Sequence, residues 1–303
     1  MAFRLEPKEA VDEAVRRIVG EQINKALADT VELEHHQAVH EVRKRCKKIR
    51  GVIRLVRPGF EDTYQRENAE FREAARALSE LRDAEAMLET FDALMTAFEG
   101  EVDRRSLGHV RRGLTLGRQE LAENWDLDAR LVDFRASMLQ ARDRIEDWSL
   151  SPGGAKAALS GLTKTYGRGR SAMDAAYAKP SPERFHEWRK RVKYHRYHCR
   201  LLRSLWEQPM KARWKEVKRL SDLLGDEHDL AVFREKLLAD RAALGAERVH
   251  VLVALADRRA EQLRLAAQHL GARVYAEKPK RLRRRVGAYW EAWREEAREP
   301  AAS

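Results

Sequence analysis

An all-α fold, made of two pseudo-symmetric antiparallel helical bundles of the four-helix type, is what this sequence predicts. Ala, Arg, Leu and Glu dominate, whereas Gly (16) and Pro (8) are scarce among 303 residues, a balance that favours long helices. Apolar positions recur with helical spacing, and no segment alternates as a strand does. Most tellingly, the chain contains a copy of itself. HEVRKRCKKIRGVIRLVR at 40–57 recurs as HEWRKRVKYHRYHCRLLR at 186–203, and at this offset of 146 ten of the eighteen positions are identical. The same offset lays LSELRDAEAM, from Leu78, on LGDEHDLAVF, from Leu224, and pairs Asp83 with Asp229.

Two halves follow, 1–150 and 151–303, with SPGG at Ser151 to Gly154 as the joint. In the first half the periodicity predicts helices near 7–29, 34–57, 65–99, 101–124 and 127–149. Pro58-Gly59 stops the second of these, which is the first basic helix. In the second half helices are predicted near 154–178, 181–207, 210–242, 245–271 and 278–298. Ser181-Pro182 opens the second basic helix, with a capping hydroxyl followed by a proline in the first turn. Short turns between neighbours make an antiparallel arrangement the natural one.

Composition also excludes whole classes. Two cysteines, Cys46 and Cys199, make neither a disulfide scaffold nor a Cys-based zinc site. No run of about 18 apolar residues appears and no apolar region follows Met1, so neither a membrane span nor a signal peptide is expected and the cytoplasm is the expected compartment. The net charge of +11 favours an anionic partner.

That charge is unevenly placed. The two matched stretches hold 15 of the 60 Lys and Arg residues and 2 of the 49 Asp and Glu residues. Their net +13, within a chain of +11, leaves −2 for everything else. Ordinary solvated helix faces interleave signs, as RENAEFREAARALSELRDAE at 66–85 does. On the first basic helix His40, Arg43, Lys47, Arg50, Arg54 and Arg57 fall on one face by steps of three and four. Val39, Val42, Cys46, Ile49, Ile53 and Val56 form the adjoining apolar face. His186, Arg189, Lys193, Arg196, Arg200 and Arg203 repeat the stripe, with Val192, Cys199 and Leu202 on the apolar side. Each stripe spans roughly 25 Å, longer than any site for one phosphate. Arginine forks suit phosphate oxygens, and an adjacent phosphate would hold each leading histidine protonated. Two such stripes brought face to face would line a positive channel suited to a thin, flexible polyanion.

At these residues the sequence resembles the CHAD family (conserved histidine α-helical domain). The motifs are HEVRKRCKKIR and HEWRKRVKYHR, followed at a similar interval by LSELRDA and LGDEHDLAVF, and the resemblance covers essentially the whole chain. It implies two bundles related by a pseudo-twofold axis that form one CHAD unit, a basic surface or pore, and binding of inorganic polyphosphate. Residue by residue it implies His40, Arg43, Lys44, Lys47, Arg50 and Arg54, and His186, Arg189, Lys190, Lys193, Arg196 and Arg200, as ligand contacts. Arg57 and Arg203 are added on helical geometry alone. The extra acids of Leu224-Gly225-Asp226-Glu227-His228-Asp229 put a role for His228 in doubt.

The expected function is therefore non-catalytic binding of long-chain polyphosphate, with no cofactor and no metal. Polyphosphate granules or polyphosphate-metabolising enzymes are the expected surroundings. The alternatives are a nucleic-acid-binding protein, for which Tyr194 and Tyr197 could serve as stacking rings, and a phosphohydrolase built on His228-Asp229. The latter lacks a recognisable set of further ligands. Glu32-Leu33-Glu34-His35-His36 echoes the ExExK of triphosphate tunnels but lacks the lysine, and His35-His36 fits a helix start. Asp83 and Asp229 read as partners that position arginines. Lys278-Pro279-Lys280-Arg281-Leu282-Arg283-Arg284-Arg285 is a third basic cluster that reads as a solvated face, and Arg168 and Arg170 are lesser candidates.

Overall fold

A computed structural model describes residues 3–150 and 153–298. Twelve α-helices follow one another, with no strand among the described residues. The first half contains α1 (Val11–Glu32), α2 (His35–Val56), α3 (Glu61–Arg76), α4 (Ser79–Ala97), α5 (Gly108–Asn124) and α6 (Leu127–Ile145). The second contains α7 (Gly154–Ala178), α8 (Pro182–Leu201), α9 (Glu207–Ala239), the single turn α10 (Arg241–Leu244), α11 (Ala246–Val274) and α12 (Pro279–Glu296). Of the joint at Ser151 to Gly154, Ser151 and Pro152 lie outside the described residues.

The internal repeat is written into the element ends. A 3-10 turn at Arg57–Gly59 closes α2 and another at Arg203–Leu205 closes α8, 146 residues later. The starts of α3 and α9, and the ends of α1 and α7, differ by the same offset. Ser181 caps α8 by accepting from the Arg184 backbone N–H at 3.4 Å, and Pro182 occupies the first turn. Pro58 sits inside the turn that ends α2, because its ring removes a donor and fixes φ.

One predicted element is corrected. The helix expected over 65–99 is two helices, α3 and α4, separated at Ala77-Leu78. No Gly or Pro marks the break. Leu78 is fully buried in the larger of two cores, whereas Met87, Phe91 and Leu94 of α4 belong to the smaller one. The break thus falls where the chain passes from one core to the other. The counterpart α9 reaches both without a break, placing Leu220 and Leu224 in the larger core and Phe233 and Leu237 in the smaller. The helix expected from 101 begins at Gly108, after a stretch of turns.

Each core draws on both halves of the chain. The larger one surrounds α2, which packs on α1, α3, α7 and α8. Its apolar face is buried as the spacing requires: Val39, Val42, Cys46, Ile49, Ile53 and Val56 are all within 1% of full burial. Val192, Cys199 and Leu202 of the second basic segment are buried likewise. Helices α2 and α8 cross where Gly51 meets Tyr197, two positions that are equivalent in the repeat. A Cβ at Gly51 would stand 2.9 Å from the Tyr197 Cβ, so glycine in one copy makes room for tyrosine in the other. No helix among the described residues is long and apolar enough to cross a membrane.

Burial also captures two histidines of α8. His195 and His198 are both fully buried. Loss of water pushes His198 down to about 3 and His195 well below the ordinary histidine range. In the unfolded chain both titrate near 6.5. Below that pH the unfolded state binds more protons than the folded one, so stability falls as pH is lowered. Urea unfolding at pH 5 is expected to show a loss of about 2–4 kcal/mol relative to pH 7 from this pair. Unfolding free energies that do not change between the two pH values would contradict the assignment.

Candidate anion-binding cleft

The two basic helices meet in a cleft of about 530 Å³. From α2 it is lined by His40, Arg43, Lys44 and Lys47, and from α8 by Arg189, Lys193, Arg196 and Tyr197. Arg82 and Asp83 of α4 and His228 and Asp229 of α9 complete the wall. Seven Lys and Arg side chains and two histidines thus face two carboxylates. The 3.6-residue period aims the α2 and α8 stripes, and the buried face beside each stripe holds it in place.

The carboxylates serve as braces. Arg43 donates to the Ala75 carbonyl at 2.6 Å and lies 4.0 Å from Asp83. Asp229 is pushed up from the usual carboxylate range by burial, against the pull of Arg189, Arg82 and Lys193. Neither acid cancels the surplus. Lys47 is driven down to about 8, first by loss of water and then by the charges of Arg43 and Arg189. Lys193, its equivalent in the repeat, falls well below the lysine range through burial and the nearby charges of Lys47 and Arg189. Two lysines in equivalent positions thus lose their protons more readily than a free lysine, first because they are buried and then because of the cations around them.

The histidines behave similarly. His40 is lowered by partial loss of water and by Arg82, and His186 by burial and the charges of Lys190 and Arg189. The His186 ring lies against His228, Nδ1 to Nδ1 at 3.2 Å, and burial with Arg189 lowers His228 to about 3. In the empty cleft these rings are neutral at neutral pH, and a bound anion is what would charge them.

Not every residue of the two stripes reaches the cleft. Lys190 is paired with Glu187 at 2.5 Å, as Lys44 is with Glu41 at 2.6 Å on the cleft's edge. Arg50 donates to Asn68 at 3.2 Å. Arg54 lies over the Tyr194 ring at 4.0 Å and Arg57 over Tyr64 at 4.6 Å. Arg200 lies between Phe3 and Trp214, and Arg203 pairs with Glu207 at 3.1 Å. Arg82, by contrast, lines the cleft although no stripe contains it. It sits in the mixed-sign stretch, and its only signal in the sequence is its equivalence to His228.

The other candidates fall elsewhere. His35 opens α2 and lies 3.1 Å from Asp128. Arg283 donates to Ser160 at 2.8 Å, Arg285 is held by Glu277, and Arg170 donates to the Glu277 carbonyl at 3.3 Å. Among the described residues no three His, Cys, Asp or Glu side chains come together in a way that could hold a metal ion.

The profile of the CHAD domain matches residues 14–238. The chain belongs to the CHAD family. Two solved structures share its fold. PptA from Streptomyces chartreusis superposes with a TM-score of 0.62 at 18% identity, over 88% of this chain and 98% of that one. The CHAD domain from the plant Ricinus communis superposes with a TM-score of 0.59 at 17% identity, over 89% of this chain and 95% of that one. No curated protein sequence matches the chain. Both HEXRKR motifs, at 40–45 and 186–191, lie on α2 and α8 and contribute His40, Arg43, Lys44 and Arg189 to the cleft.

Proposed function

We propose that this CHAD protein binds long-chain inorganic polyphosphate in the cleft between α2 and α8, as a non-catalytic module. The observation that carries the proposal is the cleft lining, in which seven Lys and Arg side chains from both basic helices and α4 face two carboxylates. Lys47 and Lys193 gathered in one cleft with Arg43, Arg189 and Arg196 are unfavourable in the free protein. A row of phosphates reverses that balance, and the family's association with polyphosphate-related proteins points the same way. Successive phosphates pair with opposite walls, and released counterions add to the driving force. Through the same chain the protein is placed at polyphosphate granules or beside enzymes that make or degrade the polymer.

The shape of the site favours a thin polymer over nucleic acid. Lys47 and Lys193 are half-buried on the cleft wall, where a thin chain meets them more readily than phosphates on the rigid flank of a duplex. Single strands gain affinity by stacking bases on open aromatic faces. Tyr197 is buried and Tyr194 is covered by Arg54. Competition decides between the two. Single-stranded and duplex DNA, at equal phosphate concentration, are expected to bind at least roughly tenfold more weakly than polyphosphate. DNA that displaces the polymer at parity would overturn the proposal. Phosphate released from the polymer by purified protein, and lost in His228→Ala, would assign a hydrolase instead.

A further inference from the structure

Arg54 and Arg57 continue the α2 stripe beyond the Gly51–Tyr197 crossing and emerge against α7. There Gly161 lies on the α2 backbone: a Cβ at this position would fall 1.8 Å from the Leu55 carbonyl oxygen. This close approach brings Lys164 and Arg168, one turn apart on α7, to the same pocket as Arg54, Arg57 and Arg191 of α8. Thr165 and Tyr194 also line it, and no carboxylate does among the described residues. Among the described residues only Arg191 of the five cations has an ionic partner, Glu187.

Arg54 donates one long hydrogen bond to Asn68, at 3.5 Å, and aromatic rings hold Arg54 and Arg57 in place. Tyr194 and Tyr64 flank Arg54, and Tyr64 also supports Arg57, contacts made through ring faces and not through N–H groups. The Arg54 Nε is buried and has no hydrogen-bond partner. A buried charged donor without an acceptor is costly, as is gathering five like charges. An oxyanion relieves both, and planar arginine forks match phosphate oxygens. The pocket itself holds only about 10 Å³, and Lys164 and Arg168 are exposed beside it, so an oxyanion would meet the cations at its opening, one group and not a run of them.

We propose that Arg54, Arg57, Lys164, Arg168 and Arg191 form a second anion site, separate from the cleft, that takes a single phosphoryl group. Inorganic phosphate and one unit of a polyphosphate chain offer the same oxygens. The assignment to the chain rests on the polyphosphate reading of the cleft. Arg50 stands between Lys47 and Arg54 on α2, so one polymer can pass from cleft to pocket along this face.

Arginine Nε–Hε NMR signals test the site directly. On addition of tripolyphosphate, the Arg54 and Arg57 signals are expected to shift and saturate in the unaltered protein and in the cleft variant Arg189→Glu. In the double variant Lys164→Glu, Arg168→Glu, which changes two exposed α7 side chains, those shifts are expected to vanish while the Arg43 and Arg189 signals still move. Arg54 signals that stay put in the unaltered protein, or move equally in the double variant, overturn the second site. Arg54 moving while Arg43 and Arg189 do not would sink the cleft and leave the pocket standing. Long-chain polyphosphate saturating Arg54 at about tenfold lower phosphorus than inorganic phosphate assigns the pocket to the tethered chain. Equal saturation assigns it to free phosphate.

Discussion

Raising the salt concentration from about 50 to about 200 mM is expected to weaken polyphosphate binding roughly a thousandfold. The size of the effect follows from the cleft wall. Seven Lys and Arg side chains line it, and a flexible single-stranded polyanion loses about 0.7 of a log unit of affinity per phosphate contact for each log unit of salt. Isothermal titration or anisotropy at four salt concentrations gives the slope, expected near −5 if all seven take part. Reversing Arg189 to Glu is expected to reduce both the affinity and the steepness, because a contact is removed and a repulsion added. A slope near zero would mean that the ligand is not held by its phosphates, and the polyphosphate proposal would fall with it.

How much of this was legible in the sequence depends on what each residue has to satisfy. The faces of α2 and α8 could be read directly, because burial of Val39, Val42, Cys46, Ile49 and Ile53 imposes the helical period on everything beside them. The depth of the stripe could not. Periodicity places Arg54 and Arg57 on the same face as Arg43 and Lys47, but a straight helix that crosses another at Gly51 shows its two ends to different neighbours. Arg54 and Arg57 therefore meet Tyr194, Tyr64 and α7, not the cleft. Arg200 and Arg203 leave the cleft in the same way. The break between α3 and α4 escaped for a related reason: nothing local to Ala77-Leu78 stops a helix, and the two cores on either side of it are assembled from distant segments. Arg82 escaped because it reads as one charge of a mixed-sign face, and it does pair with its sequence neighbours Glu85 and Glu89 while also lining the cleft.

Replacing Lys193 with Met is expected to make the protein more stable and a much poorer binder. Burial and the charges of Lys47 and Arg189 hold the ammonium of Lys193 well below its ordinary pKa, so the folded state at neutral pH carries an unfavourable group that the unfolded chain does not. A methionine of similar length fills the same space with no charge to desolvate. Lys47 gives the scale: a fall from 10.5 to about 8 corresponds to about 3 kcal/mol at neutral pH, and Lys193 falls in the same direction. After allowance for imperfect packing, a gain of about 1–3 kcal/mol, or several degrees in Tm, is expected. The pH signature follows from the sign of the shift. A lysine with a lowered folded pKa destabilises fully below that value, and the penalty disappears as pH approaches 10.5, where the unfolded lysine also loses its proton. The gain in Lys193→Met should therefore be large at pH 7 and small near pH 10. Binding must move the other way. Phosphates restore the charge of Lys47 and Lys193, so the complex holds more protons than the free protein, and affinity declines as pH rises through about 8. Titrations in buffers of different ionisation enthalpy should show proton uptake that is reduced in Lys193→Met. A variant that is destabilised, or that binds as tightly as the parent, would mean that Lys193 supports the fold and not the ligand. Stabilisation together with lost affinity identifies a residue kept at the expense of the empty protein, which is the mark of a site shaped by what it binds.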